Sequence, residues 1–235
     1  MLTTSSPIIF YDIATCPPVS PNSWKTRLAL NFKSLPYSTS WVGLPDIAKV
    51  RSSLKVPACR KFADGTDFFT LPIIQDPATG SLVGDSFDNA APALFPAQTI
   101  DYCPDSEFPE YAKFNVNVDA AFSAHVQFTV QGFPFDPATA EISKAEFCRR
   151  AGVTCWEDLA LAGEAREKMK DSLRDMLDGL GKLFLRDTSG PFTLGTRASY
   201  ADFIVGRSEW EEVRSWHGGL FGRLHDALEV YAEVG

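Results

Sequence analysis

Apolar and polar positions follow two different rhythms along this chain. Residues 7–13, Pro7-Ile8-Ile9-Phe10-Tyr11-Asp12-Ile13, form an apolar run of strand length, and Tyr37 to Val42, bounded by Pro36 and Gly43, predicts a second strand. Between them Ser20-Pro21 is an N-cap followed by proline at the first helical position. Trp24, Leu28, Phe32 and Leu35 then recur at helical spacing, with Lys25 and Lys33 off the stripe. Segments near 71–75 and 81–84 predict a hairpin that reverses through Pro77-Ala78-Thr79-Gly80. The order strand, helix, strand, hairpin, helix predicts a small mixed four-stranded sheet flanked by helices.

Beyond about residue 105 the strand rhythm stops and three helical stretches follow. Phe114, Val118 and Phe122 mark the first; Met169, Leu173, Met176, Leu180 and Phe184 the second; Leu220, Leu224, Leu228 and Tyr231 the last. Gly179 and Gly181 lie inside the second stretch at about 1 kcal/mol each in helix propensity, which leads us to expect close helix packing there. Ser199-Tyr200-Ala201-Asp202 is close to a capping box, with Asp in place of the usual Glu. Together these signals predict an α+β, thioredoxin-like domain over residues 1–98 and an all-α domain over 105–235.

Composition narrows the function. Of 235 residues, 45% are hydrophobic and 22% charged, an ordinary globular balance long enough for two cores. The net charge of −8 and the lack of any basic cluster argue against nucleic acid or an anionic membrane as partner. Met1 to Ser6 carries no positive charge and the following apolar run is too short for a signal core or a membrane span, so a cytoplasmic protein is expected. Five cysteines, at 16, 59, 103, 148 and 155, have no C-x-x-C pair and are expected to be reduced, with the last four as packing residues. The three histidines are too scattered to build a metal site with them.

The densest chemistry lies in residues 69–89. An apolar strand opens on Leu71-Pro72, where proline is tolerated and an X-Pro bend takes the cis form cheaply. Such a bend turns the Leu71 main chain outward, ready to pair with an extended peptide. Asp85-Ser86 then heads a segment that reads as helix, offering free N–H groups to a carboxylate and an acid to an ammonium group. A hairpin followed by an ordinary N-capped helix is the structural alternative.

With these residues in view, the chain resembles the cytosolic glutathione transferases, and more narrowly the fungal etherase-type class related to bacterial glutathione-dependent β-etherases. The likeness rests on Ser20 to Arg27, Ala29 to Lys33 and Leu35-Pro36-Tyr37, with Thr70-Leu71-Pro72 and Asp85-Ser86-Phe87 shared by many classes. Arg149 to Gly152, Gly190-Pro191-Phe192, Ser199 to Asp202 and Trp216 to Gly219 extend it into the helical half. The resemblance implies the glutathione transferase fold, glutathione as co-substrate with no metal, a homodimer, and hydrophobic aromatic small molecules as second substrates. It implies that Ser20 stabilises the thiolate, with Asn22 or Ser23 as alternatives in the same turn. Leu71 and Pro72 would hold the cysteinyl main chain, and Asp85 and Ser86 the γ-glutamyl end. A hydroxyl at a helix N-terminus does favour a bound sulfur anion, through a hydrogen bond and the dipole field.

Trp24, Phe122, His125 and Phe128 are candidates for the hydrophobic pocket, against the plainer reading that aromatics at helical spacing are core. Pro92 and Pro96 fall where the family's third helix continues and predict a short or kinked one. Two further functions stay open: a ligandin-type carrier without chemistry, and a Cys16-dependent thiol transferase built on Cys16-Pro17-Pro18.

Overall fold

The computed structural model describes residues 6–85, 109–205 and 211–235. These residues group into two compact units, one holding 6–85 with 133–158 and 234–235, the other 109–132 with 159–205 and 211–233.

The first unit is built on a mixed sheet. Strand β1 (Ile8–Ile13) pairs in parallel with β2 (Tyr37–Val42), in register from Ile8 with Tyr37 to Ile13 with Val42. Helix α1 (Pro21–Phe32) makes the crossover that a parallel pair requires. Helix α2 is Ile47–Leu54, and a two-stranded hairpin of β3 (Arg60–Lys61) and β4 (Asp67–Phe68) follows. Strand β5 (Ile73–Asp76) then runs antiparallel to β1, and β6 (Ser81–Val83) antiparallel to β5, giving the order β2-β1-β5-β6. Gly80, at φ +71°, closes the β5–β6 turn, and the Asp76 carboxylate accepts from Ala78 N at 2.9 Å and Thr79 Oγ1 at 2.8 Å. This is the mixed thioredoxin-like sheet predicted. Helix α2 and the separate two-stranded sheet of β3 and β4, to which the sequence assigned no elements, belong to the same unit.

Because side chains alternate across a strand, successive residues Ile73 and Ile74 enter different cores. Ile73 packs with Val42, Leu44, Ile47, Val56 and Leu71; Ile74 packs with Ile8, Phe10 and Leu30. Helix α1 departs from the expected amphipathic stripe. Ser23 to Leu30 are all buried, Lys25 among them at 2% exposure, so the polar side chains of this helix face protein rather than water. Arg27, fully buried, is paired with Asp12 of β1 at 2.8 Å.

Residues 133–158 add helix α5 (Ala140–Ala151) to this unit. Thr15 bridges to Phe135, Cys16 N donates to Pro134 O at 3.0 Å, and Arg150 donates to Phe69 O at 2.9 Å and Leu44 O at 3.3 Å. Phe133, Phe135, Phe147 and Trp156 meet edge to face at 5.5–5.9 Å, a geometry that suits their ring quadrupoles.

The second unit is helical, with α3 (Pro109–Ala124), α4 (Gln127–Val130), α6 (Gly163–Gly181), α7 (Tyr200–Val205) and α8 (Glu211–Leu228). The expected box heads α7: Asp202 Oδ2 accepts from Ser199 N at 2.7 Å and Ser199 Oγ at 2.8 Å, and Oδ1 from Thr193 N at 2.7 Å. Burial pushes the Asp202 carboxyl up from its ordinary value, with these hydrogen bonds opposing. The expectation of close packing at Gly179 and Gly181 fails. Among the described residues, a methyl group at either would meet nothing within 4 Å beyond the backbone of its own helix; Gly181 instead marks the end of α6, where the chain tightens into a 3₁₀ turn over Lys182–Leu185. Helix α8 is broken at Trp216, after which His217, Gly218 and Gly219 are all left-handed.

Candidate functional site

The loop before α1 is held from several sides. Val19 N donates to Thr15 Oγ1 at 3.3 Å, and the buried Trp24 indole donates to Pro18 O at 2.9 Å. This fixes Ser20 at the N-cap with φ −67° and ψ 114°. Its Oγ accepts from Ser23 N at 3.5 Å, a long contact for a capping bond, and the hydroxyl hydrogen is left to donate elsewhere. In the same turn Asn22 Oδ1 and Ser23 Oγ are buried with no hydrogen-bond partner. A helix start with a free hydroxyl donor suits an anion. Asn22 Oδ1, as placed, is an acceptor and suits a donor such as an amide or a thiol hydrogen. Trp24, 2% exposed, is a core residue of this unit.

On the neighbouring sheet, Leu71–Pro72 is a cis peptide bond, as the sequence led us to expect. The β1–β5 register starts at Ile73, so Leu71 lies beyond the ladder. Its side chain is committed to the core at 3% exposure, which leaves main-chain groups as what it has to offer a ligand. Asp85 is half-buried, one residue past Gly84; Ser86, like Pro92 and Pro96, lies outside the described residues.

Two residues that the sequence reading did not single out join these segments. Arg51 of α2, 1% exposed, donates through Nη1 to Thr70 O at 2.5 Å and Gly84 O at 2.8 Å. Its Nη2 meets Pro57 O and, at 3.2 Å, Cys59 Sγ. Cys59 in turn donates to Gly84 O at 3.1 Å and contacts the Asp85 carboxylate. Cys59 therefore has charged neighbours, yet partial desolvation raises its thiol pKa, with Arg51 opposing and Asp85 adding to the rise; it is not an activated nucleophile. The signal for Arg51 was a cation on the face shared by Ile47, Val50 and Leu54, where a solvent-exposed helix face would not place one. Cys16 is exposed in the loop ahead of Ser20.

The other pocket candidates belong to the second unit. His125 is buried, with Nδ1 2.6 Å from Ala121 O and Nε2 3.0 Å from Ser172 Oγ. A carbonyl at Nδ1 requires the proton there, so in the neutral ring Nε2 accepts from the serine, and both ring nitrogens are occupied. Phe122 is half-buried, and Phe128 carries the Arg166 guanidinium 5.1 Å from its ring. Among the described residues no three His, Cys, Asp or Glu side chains are grouped to hold a metal ion, and no helix is long and apolar enough to cross a membrane.

Comparison with known proteins bears on the family of this chain. The family description "Glutathione S-transferase, N-terminal domain" matches residues 19–90, and "Glutathione S-transferase, C-terminal domain" matches residues 136–231. The chain belongs to the glutathione transferase superfamily. A glutathione S-transferase of Ceriporiopsis subvermispora, solved in complex with glutathione, is similar at 29% identity and a TM-score of 0.83, over 98% of this chain and 99% of that one. Glutathione transferase GSTFuA3 of Phanerochaete chrysosporium follows at 27% and 0.80, over 99% and 100%. The glutathione S-transferase-like protein ustS of Aspergillus flavus is 27% identical over 98% of this transferase-family chain and 93% of its own length.

Proposed function

We propose that this chain is a glutathione transferase of the fungal etherase-like kind, acting in the cytoplasm as a homodimer on hydrophobic aromatic electrophiles. The observation that carries this reading is the Ser20 hydroxyl, capping α1 with its hydrogen uncommitted, in a fold whose Ceriporiopsis relative was solved with glutathione. Glutathione lies extended along Leu71, its γ-glutamyl end toward Asp85 and Ser86, its sulfur at the start of α1. Ser20 Oγ donates to the sulfur and, with the helix dipole, favours loss of the thiol proton to water. Asn22 Oδ1 receives a donor from the same ligand. The thiolate attacks an electrophilic carbon of the aromatic substrate; a C–S bond forms, the bond to an aryloxide or other leaving group breaks, and the leaving group takes its proton from solvent. Phe122, His125 and Phe128 of the second unit are the proposed contacts for the aromatic, His125 through its ring face because its nitrogens are occupied; Trp24, closed in the core of the first unit, is not among them.

A shift of about 2 pKa units in the bound thiol corresponds to roughly 2.7 kcal/mol, or about a hundredfold in thiolate at neutral pH. Ser20→Ala is therefore expected to raise the thiol pKa of bound glutathione, read from thiolate absorbance against pH, and to cut turnover by up to about that factor with affinity nearly intact. Unchanged turnover removes Ser20 from the mechanism. Calorimetry showing no heat at millimolar glutathione removes the whole reading, and displacement of a fluorescent aromatic without product release assigns a carrier instead.

A further inference from the structure

Arg51 is a buried cation whose four hydrogen-bonding partners are three carbonyls and one sulfur, with its Nε left unmatched. Stability alone is a poor account of such a group, because taking a guanidinium out of water is costly and dipoles repay it incompletely. What the side chain does is mechanical. Thr70 immediately precedes Leu71, Gly84 immediately precedes Asp85, and both of their carbonyls converge on the same Nη1 atom. Nη2 adds Pro57 and Cys59, from the loop that leaves α2. The β5–β6 ladder that joins two of these segments ends at the pair Ile74 and Val83, so Thr70, Leu71, Gly84 and Asp85 lie beyond it.

Gly84 completes the arrangement. A Cβ there would lie 2.2 Å from Val56 Cγ1 and 2.5 Å from Arg51 Nη2, so the chain presses onto the guanidinium only because residue 84 has no side chain.

We infer that Arg51 is the positioning residue of the glutathione site: it sets the separation between the Leu71 main chain and Asp85, and so controls affinity for the tripeptide without touching it. The inference rests on the glutathione reading above. Planar geometry matters here, since a lysine keeps the charge but cannot hold three carbonyls and a sulfur from one fork.

The test is a comparison of wild type, Arg51→Lys and Cys59→Ala, each checked for fold by circular dichroism. Wild-type calorimetry with glutathione comes first: no heat there overturns the glutathione reading itself. With wild-type binding in hand, folded Arg51→Lys is expected to raise Kd and KM for glutathione by about tenfold, as loss of charge-assisted hydrogen bonds implies. Its kcat at saturating glutathione, and the thiol pKa of the bound tripeptide, are expected to stay within about twofold and a few tenths of a unit, because Ser20 is untouched. An unchanged KM in folded Arg51→Lys, or a fall in kcat alone, overturns the inference. Should Arg51→Lys fail to fold, Cys59→Ala decides: it removes one partner of Nη2 at an exposed position, and a KM for glutathione equal to wild type overturns the inference while a rise of about threefold supports it.

Discussion

Replacing Asp12 by alanine tests how the first unit is held together. The carboxylate is 1% exposed and accepts from Arg27 Nη2 at 2.8 Å, while Arg27 itself is fully buried. Phe10, Trp24, Trp41 and Tyr37 surround the guanidinium with ring centroids 4.8–5.8 Å away, and its remaining polar contacts are Tyr37 Oη and Thr39 Oγ1, both at 3.3 Å. Its Nε has no hydrogen-bond partner, and the Asp12 carboxylate supplies its ion pair. Breaking a buried pair from one side costs about 3–5 kcal/mol, mostly the unpaired charge left behind. For a chain of this size about 2–4 °C accompany each kcal/mol, so the melting temperature is expected to fall by about 6–20 °C. The double variant Asp12→Ala, Arg27→Met replaces the charge by apolar volume and is expected to recover much of that loss, since a buried pair and a hydrophobic filling are often close in energy. Thermal unfolding of wild type, the single variants Asp12→Ala and Arg27→Met, and the double variant at fixed pH measures the coupling. An Asp12→Ala variant within about 2 °C of wild type, or a double variant no more stable than that single one, refutes the reasoning.

Two further outcomes follow from the helices. Gly179 is exposed inside α6 with open space around its Cα, so Gly179→Ala is expected to raise stability by about 1 kcal/mol, or about 2–4 °C; a lowered melting temperature would mean that a neighbour occupies that space. Glu146 accepts from Arg149 at 2.7 and 2.8 Å and from Arg150 at 2.8 Å, and the Arg149 hydrogen bonds chiefly hold its carboxyl below the ordinary 4.5. A carboxyl depressed in the fold stabilises above its unfolded pKa and loses that contribution as pH falls through the folded value, so the melting-temperature gap between wild type and Glu146→Gln is expected to narrow as the pH falls below 4.5. A gap independent of pH would contradict this origin.

Much of the fold was legible because its signals are local. Ser20-Pro21 caps and starts α1 as read, the strand expected over residues 7–13 runs from Ile8 to Ile13, the strand at Tyr37–Val42 has the expected bounds, and Ser199 to Asp202 forms its box. Helix α2 escaped because its eight residues, Ile47–Leu54, carry Arg51 on their apolar face, and β3 and β4 are two residues each, too short for any period to show. Lys25 lies off the apolar stripe and is buried all the same, because Ser23 to Leu30 are enclosed on every side of α1. At the site, the residue types of Ser20, Leu71-Pro72 and Asp85 announce their chemistry in the sequence. Arg51 and Cys59 do not, because their role comes from bringing together carbonyls at residues 57, 70 and 84, a long-range arrangement without a motif.

The partnership of residues 133–158 with the amino-terminal sheet constrains how this chain can be divided. A fragment stopped soon after the sheet would strip the Leu44 and Phe69 carbonyls of Arg150 and leave Thr15 without its bridge to Phe135. Chimeras that exchange the carboxy-terminal half with a relative therefore also exchange a wall of the amino-terminal unit. A graft that keeps residues 133–158 with their own sheet, taking the foreign sequence on either side, is the recombination that preserves those contacts.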